Sequence, residues 1–361
     1  MAAPDPVAVA PVNDDPREIA HDCTVSVDAF SGGALGIGQG YATSPIVSVC
    51  VANWNCREML QKCLESLLCW PQGVPLEVIV VDNASRDGSA AMVMRKFPQV
   101  RLVRNNSNRG FARASNQAAR FARGPYLFFL NNDTEVPALT LRRLLEYALA
   151  HPEAGMIGPR LRDSLGNFQI SYRSTPSVAA LLHRTVLLRW TGVLACSYRR
   201  YRRSGFDPFH DGQVDLLMGA AVLIPREVFF ECGQWDEDFA FGGEDLELAA
   251  RIGKRYPVLF APIAEVKHHG RVSSRLNIGF STESVAIGYV KFLRKAGTSS
   301  PKLFLYKLAI TLDSPFQTLI KLAQWAARRL TNRPEKAGKS LLAARGHAHF
   351  LLNSLLRFWR A

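Results

Sequence analysis

The sequence predicts an α/β fold, a mostly parallel twisted sheet flanked by helices and followed by a basic helical C-terminal tail. Three observations carry that prediction. Between residues 46 and 130, short β-branched and apolar runs alternate with segments of helical apolar period. Each apolar run ends in polar residues, so amides and carboxylates gather on one rim of a sheet, the carboxyl-end rim where such sheets bind ligands. In residues 281–361, fourteen Lys or Arg face three Asp or Glu, a surplus of eleven within a chain of net charge +13.

The elements follow in order. Residues 1–44 are rich in Ala, Pro, Gly and Asp without apolar period and read as a flexible leader. Gly36, Gly38 and Gly40 have no strand before them and no helix directly after, so they read as linker and not as a phosphate loop. Residues 47–51 form a buried strand, and Leu60, Cys63, Leu64, Leu67 and Leu68 repeat at helical spacing. Next come a strand at 76–81, a turn at 83–88, a short helix from Ser89, a strand at 100–103, a helix at 111–122 and a strand at 126–130. The second half is less regular. A hairpin turn falls at 163–167, while 175–209 is a basic, aromatic stretch without assignable period. A strand is expected at 216–224, a helix opened by Pro225 to Cys232, a helix at 244–253 and a strand at 258–261. The fold is expected to end near Arg275. Residues 45–280 are thus read as the folded α/β domain and 281–361 as the tail.

A chain of 361 residues, 48% hydrophobic, is long enough for one large domain with appendages. With the tail's surplus removed, the body is close to neutral, which argues against a nucleic-acid partner. Seven cysteines without a Cys-x-x-Cys pair fit reduced thiols in a cytosolic compartment. The N-terminus lacks the basic start and apolar run of a signal peptide, and the most apolar stretch, 303–312, is short of the roughly 20 residues of a spanning helix.

Candidate chemistry lies on the rim. Asp133, in Asn131-Asn132-Asp133, is placed to hold a divalent cation against a diphosphate, although an isolated Asn-Asp pair is more readily a turn or cap, and its neighbours on the rim shift the balance. Asp82, followed by Asn83, is either a cap or an acceptor for a nucleobase imide or ribose. The loop 105–110, with Asn108, Arg109 and Gly110, offers amides to ribose or diphosphate, and Arg113 and Asn116 follow at helical spacing. Glu244 and Asp245 open a helix, where the dipole favours acids regardless of function; Asp245 is the choice for the base that deprotonates an acceptor hydroxyl. Of His268 and His269, which cannot share one strand face, one at most reaches a metal.

These residues, in this order, resemble glycosyltransferase family 2, the inverting enzymes of the GT-A fold, and in particular its rhamnosyltransferase-like branch. The resemblance runs from about residue 46 to 275. It rests on 47–55, 78–89, 108–112 with Asn116, 130–134, 218–220, 235–238, 243–245 and 266–268. It implies that Asp82 and the Asn53 region hold the nucleoside, that Asp133 holds Mg²⁺ or Mn²⁺ at the diphosphate, that Asp245 is the base and that His268 approaches the metal. Asn131 and Asn132 stand where many relatives carry Asp-x-Asp, leaving a single carboxylate. The function implied is hexosyl transfer, with rhamnose from dTDP-rhamnose the leading donor, to a glycan or lipid-linked acceptor in surface polysaccharide synthesis.

Phe316, Ile320, Ala323, Ala326 and Leu330 fall on one helical face, and Lys321, Trp325 and Arg328 on another, which suits an interfacial helix on the anionic inner face of the cell membrane. The competing expectation is a helical hairpin packed on the catalytic domain. A nucleotidyltransferase or dinucleotide oxidoreductase would need a glycine-rich loop after the first strand, and 52–55 has none. A non-catalytic nucleotide-sugar-binding or scaffold protein is the alternative that the Asn-Asn-Asp sequence favours and Glu244-Asp245 disfavours.

Overall fold

The computed structural model describes residues 44–203, 205–270 and 277–361. The leader up to residue 43, with its glycine run and Cys23, and the expected fold end at Arg275 lie outside the described residues. Strands and helices alternate first: β1 (Val47–Asn53), α1 (Arg57–Leu68), β2 (Leu76–Asp82), α2 (Ser89–Lys96), β3 (Arg101–Arg104), α3 (Phe111–Phe121) and β4 (Tyr126–Asn131). Then come β5 (Thr134–Glu135), α4 (Thr140–Ala150), β6 (Met156–Arg162), β7 (Phe168–Gln169) and β8 (Tyr172–Arg173). Three short helices follow, α5 (Val178–Leu182), α6 (Val186–Thr191) and α7 (Ala195–Arg202), in the stretch that showed no period. The body closes with β9 (Gly212–Gln213), β10 (Leu216–Leu217), β11 (Ala221–Pro225), α8 (Arg226–Glu231), α9 (Glu244–Ile252) and β12 (Val258–His268).

The main sheet runs β3-β2-β1-β4-β11-β6-β12-β5. Its first four strands are parallel, β11 is antiparallel to β4 and β6, and β6 and β12 are parallel again. The two faces of each parallel strand go to different cores. Val47, Val49 and Val51, Val78 and Val80, and Phe128 and Leu130 pack with α1, α2 and α4 on one side. Cys50, Ile79, Val81, Leu127 and Phe129 pack with α3 and α9 on the other. A strand buried on both faces needs a largely apolar run, which these are but for Ser48 and Glu77, whose side chains meet in a hydrogen bond of 2.7 Å. Each fully buried Val, Leu or Phe contributes about 1.5–3 kcal/mol. β1 lies between β2 and β4, so the chain's reversal of direction across the sheet opens a crevice at the ends of β1 and β4.

Two strands differ from expectation. The strand expected at 216–224 is two: β10 pairs with β8, and β11 pairs with β4, with the chain bending at Met218-Gly219-Ala220 between its two partners. The strand expected at 258–261 runs on to His268 in spite of Pro262, because a register shift between Ala261 and Glu265 absorbs the proline and pairing with β6 resumes at Arg160. That extension brings His268 opposite Thr134 of β5.

The tail forms α10 (Ile278–Lys295), α11 (Ser300–Leu330) and α12 (Pro334–His349), a π-helical turn (Phe350–Ser354) and α13 (Leu355–Arg360). It is not set apart from the 45–280 region in space. Val290, Leu293, Leu303, Tyr306, Phe350 and Phe358 make a third core with Leu181 of α5. Arg357 pairs with buried Glu283 at 2.8 Å, and Lys307 Nζ donates to the Trp359 carbonyl at 2.8 Å. Gly288 of α10 presses on the carbonyl of Gly242, just before α9, so closely that no Cβ fits between them.

Candidate active site

A cavity of about 970 Å³ opens at the crevice. Asn53, Asn83, Asn108, Arg109, Gly110, Asn131, Asn132, Asp133 and His268 line one side, and Gly219, Glu244 and Asp245 face them. The volume suits a sugar nucleotide with part of an acceptor.

A chain of side-chain hydrogen bonds fixes the first side. Asn132 Nδ2 donates to Asn53 Oδ1 at 2.8 Å, and Asn53 Nδ2 donates to Asp82 Oδ1 at 2.9 Å. The Ser85 backbone N–H donates to Asp82 Oδ2 at 3.0 Å. Asp82 is therefore buried beneath Asn53 and does not line the cavity; its carboxylate is spent orienting the amide that does. Asn83 Nδ2 donates to the Gly110 carbonyl at 3.1 Å, and Asn108 Oδ1 accepts from the Gly110 N–H at 2.9 Å. Gly110 has φ +83°, and a Cβ there would meet the Ala240 carbonyl oxygen at 3.0 Å, so the loop needs glycine. α3 begins directly after it with no side-chain cap and no acid in its first turn, leaving uncapped N–H groups beside the cavity, as suits an anion.

Asn116 goes elsewhere. Its side chain accepts from the Trp235 N–H at 3.0 Å and donates to the Trp235 carbonyl at 2.9 Å, and Arg113 pairs with Glu237 at 3.3 Å. Both hold the 235–237 loop, because their positions on α3 turn away from the crevice. Helical spacing alone did not reveal that face.

Asp133 and His268 converge. His268 Nε2 lies 3.3 Å from Asp133 Oδ1, and both side chains are over nine-tenths buried. His268 Nδ1 is bonded to Gln169 Oε1 at 2.9 Å, and Asn131 Nδ2 approaches Nε2 at 3.4 Å. Donation from Nδ1 to Gln169 leaves the lone pair on Nε2, which the Asn131 amide approaches as a donor and which lies within reach of Asp133. Donors on one hard dication stand roughly 3 Å apart, so the pair fits a shared ion. Among the described residues no group of three or more His, Cys, Asp or Glu forms a ready cage. The fit is to a cation that takes a few protein donors and completes its shell with phosphate oxygens and water, as Mg²⁺ does. His269 turns to Glu135 (2.6 Å) and Ser164 (2.9 Å), away from the cavity.

On the opposite wall Gly243, at φ +103°, sets the start of α9. Asp245 Oδ1 accepts from the Leu246 N–H at 2.9 Å, and Oδ2 accepts from the Gly219 N–H at 3.4 Å. A Cβ at Gly219 would lie 3.3 Å from that of Asp245, so the bend between β10 and β11 is what lets the two meet. Burial raises the Asp245 carboxyl above the usual aspartate range, against the pull of the Gly219 and Leu246 N–H groups and the Arg173 charge. Glu244, wholly buried beside it, is pushed up to about 8 by burial and by the Asp245 charge, and its Oε2 has no hydrogen-bond partner. Of the two, Glu244 is the carboxyl that keeps its proton at neutral pH.

Arg173 of β8, Arg184 between α5 and α6, and Tyr201 of α7 also line the cavity, with Tyr289 of α10 and residues of α11 and α12. Sequence reasoning missed these, and Gln169, because they sit in short elements or in the tail. The dense Arg and Tyr content of 173–203 was the one signal present.

Residues 48–209 match the family described as Glycosyl transferase family 2. The chain is 30% identical over 209 residues to the N-acetylglucosaminyl-diphospho-decaprenol L-rhamnosyltransferase of Mycobacterium tuberculosis, covering 54% of this chain and 67% of that protein. Its fold, of GT-A type, is shared with GalNAc-T7 solved with UDP, GalNAc and Mn²⁺, at TM-score 0.52 and 18% identity over 70% of this chain and 48% of that one. It is shared also with the mannosyltransferase PcManGT from Pyrobaculum calidifontis in complex with GDP-Man and Mn²⁺, at TM-score 0.50 and 20% identity over 86% and 88%. The chain spans about half the length of the first of these structures.

Proposed function

The chain belongs to glycosyltransferase family 2, and from that membership we propose that it moves a hexose, with inversion, from a nucleotide diphosphate donor to a hydroxyl of a glycan or lipid-linked acceptor. The observation that carries the reading is one cavity with an amide-lined nucleotide rim, the Asp133–His268 pair at its centre and Asp245 across from them. In a single displacement, the acceptor oxygen bonds to the anomeric carbon as its proton passes to Asp245, and the bond to the nucleotide diphosphate breaks with its electron pair leaving on the phosphate oxygen. Attack from the face opposite the leaving group inverts the centre.

Asp133 and His268 are the residues that would hold Mg²⁺ or Mn²⁺, and the bound ion supplies positive charge to the departing diphosphate. The first N–H groups of α3 add their dipole at the same place. Asn53 and Asn83 orient the nucleoside, Asn108, Arg109 and Gly110 close over it, and Asp82 acts from beneath through Asn53. Asn131 and Asn132 hold His268 and Asn53 in position.

dTDP-rhamnose is the donor we propose and a diphosphate-linked lipid the acceptor, on the likeness to the mycobacterial rhamnosyltransferase. Action at the anionic cytoplasmic leaflet is supported by the tail's surplus of basic residues and by exposed Leu305, Leu312, Phe316 and Leu319 on α11 and Leu187 and Trp190 on α6. No helix of the described residues is long and apolar enough to cross a membrane.

Thermal stabilisation by thymidine, uridine and guanosine diphosphates, with and without Mg²⁺ or Mn²⁺, tests the reading in wild type and Asp133→Ala. Selective stabilisation by thymidine diphosphate, strengthened by metal and lost in the variant, is expected. A wild-type protein that responds to none of the nucleotides ends the reading in favour of a scaffold.

A further inference from the structure

The cavity does not end at the catalytic carboxylates. Past Asp245 it continues between the α5–α7 segment and the tail helices, and two guanidinium groups stand in that extension. Nη1 of Arg173 is buried without a hydrogen-bond partner. Arg184 lies 5.1 Å over the Tyr289 ring, and Arg173 lies 5.7 Å over that of Tyr201. Among the described residues, neither arginine forms an ion pair with a carboxylate. Asp313, an acid of the same lining, already accepts from the Val186 N–H at 2.6 Å and from Gln317 Nε2 at 2.9 Å. The Arg173 Nη1 group, withdrawn from water with no hydrogen bond although Asp245 lies within reach of its charge, is costly to bury so, and the planar guanidinium fork matches phosphate oxygens in pairs. The wall beyond is apolar, with Leu181, Ile310 and Phe350.

We propose that Arg173 and Arg184 form a second anion site, separate from the donor's, which holds the phosphate groups of a lipid-linked acceptor while its hydrocarbon chain leaves along the apolar wall formed by α5, α11 and the end of α12. The proposal rests on the glycosyltransferase reading for the word acceptor, and on the side chains for the anion and the chain. Phosphates anchored there fix the sugar they carry relative to Asp245, so the site selects phosphate-linked acceptors over free glycans. The donor's diphosphate belongs at Asp133 and the start of α3, so both ligands bind together.

Geranyl diphosphate is the probe, titrated calorimetrically into the full-length protein saturated with thymidine diphosphate and Mg²⁺. Binding without displacement of the nucleotide is expected, with geraniol and inorganic diphosphate each binding more weakly. Arg173→Gln and Arg184→Gln each weaken it about tenfold, the loss of one charge-assisted pair, while nucleotide affinity holds and reports an intact fold. Displacement of the nucleotide overturns the proposal, since the probe would then occupy the donor site. So does unchanged affinity in both variants, or geraniol binding as tightly as the diphosphate. If no nucleoside diphosphate binds the wild type, the glycosyltransferase reading falls; geranyl diphosphate titrated alone into wild type and variants then still decides the anion site.

Discussion

Glu244 and Asp245 are adjacent acids that titrate apart because of what surrounds them. Glu244 keeps its proton in the folded chain up to about pH 8, whereas an unfolded chain releases it near the ordinary 4.5. The folded state thus binds the extra proton between those values, and stability from this group is full below 4.5 and lost as pH rises through 8. Across pH 5 to 9 the melting temperature of wild type should fall relative to that of Glu244→Gln, which carries no such proton; parallel profiles would remove the buried acid from the account. Asp245 is the proposed base. Asp245→Asn should lower kcat about 10²–10⁴-fold while sparing nucleotide affinity, measured by turnover and calorimetry side by side, and equal loss of both would take the base role from it. His268 depends on a third side chain, since Gln169 fixes its tautomer. Gln169→Leu should weaken the metal's effect on nucleotide binding about tenfold, read as the Mn²⁺ concentration for half-maximal stabilisation.

Elements meet most tightly where α10 crosses the loop before α9. Gly288 stands against the Gly242 carbonyl, and Gly242, at φ +80°, places its own Cβ position 2.7 Å from Val285. Gly288→Ala has no room without moving α10 or the loop that carries Glu244 and Asp245. Its expected cost is about 1–3 kcal/mol in denaturant unfolding, together with a drop in turnover. Loss of stability with turnover intact would mean that the loop holds its shape without the helix. A second close meeting lies between β10 and β11, which pair with different strands: the chain bends at Gly219 between them, and the Gly219 N–H there donates to Asp245.

At the scale of the molecule, charge and apolar surface are gathered on the helices that also wall the cavity. Exposed Leu312, Phe316 and Leu319 share α11 with Leu303 and Tyr306, which face inward to the third core. One helix thus presents apolar side chains both to the catalytic body and to solvent, the arrangement expected of a surface that rests on a bilayer. The full-length protein should sediment with vesicles containing phosphatidylglycerol, less so at high salt, and the triple substitution Leu312→Ser, Phe316→Ser, Leu319→Ser should reduce that fraction while leaving nucleotide binding in place. Equal sedimentation of the variant would assign the exposed apolar residues to something other than lipid.

The parallel half of the sheet was legible because a strand buried on both faces must be a largely apolar run, and 47–51, 76–81 and 126–130 are such runs, broken only by Ser48 and Glu77. The polar residues that end them were legible for the same reason: Asn53 and Asp133 are polar where burial alone would ask for Val or Leu. What contiguous sequence determined was therefore local, the strands, their rim and the acids that open α9. Only tertiary structure decided which rim residues face inward, sending Asp82 beneath Asn53 and Asn116 to Trp235, since those roles depend on partners 29 and 119 residues distant. It alone also joined Gln169 to His268 and Gly219 to Asp245, and folded a tail that reads as an appendage into a wall of the cavity. Contacts between short elements leave no period in the sequence, because each contributes one or two residues and the packing of the whole chain sets where they point.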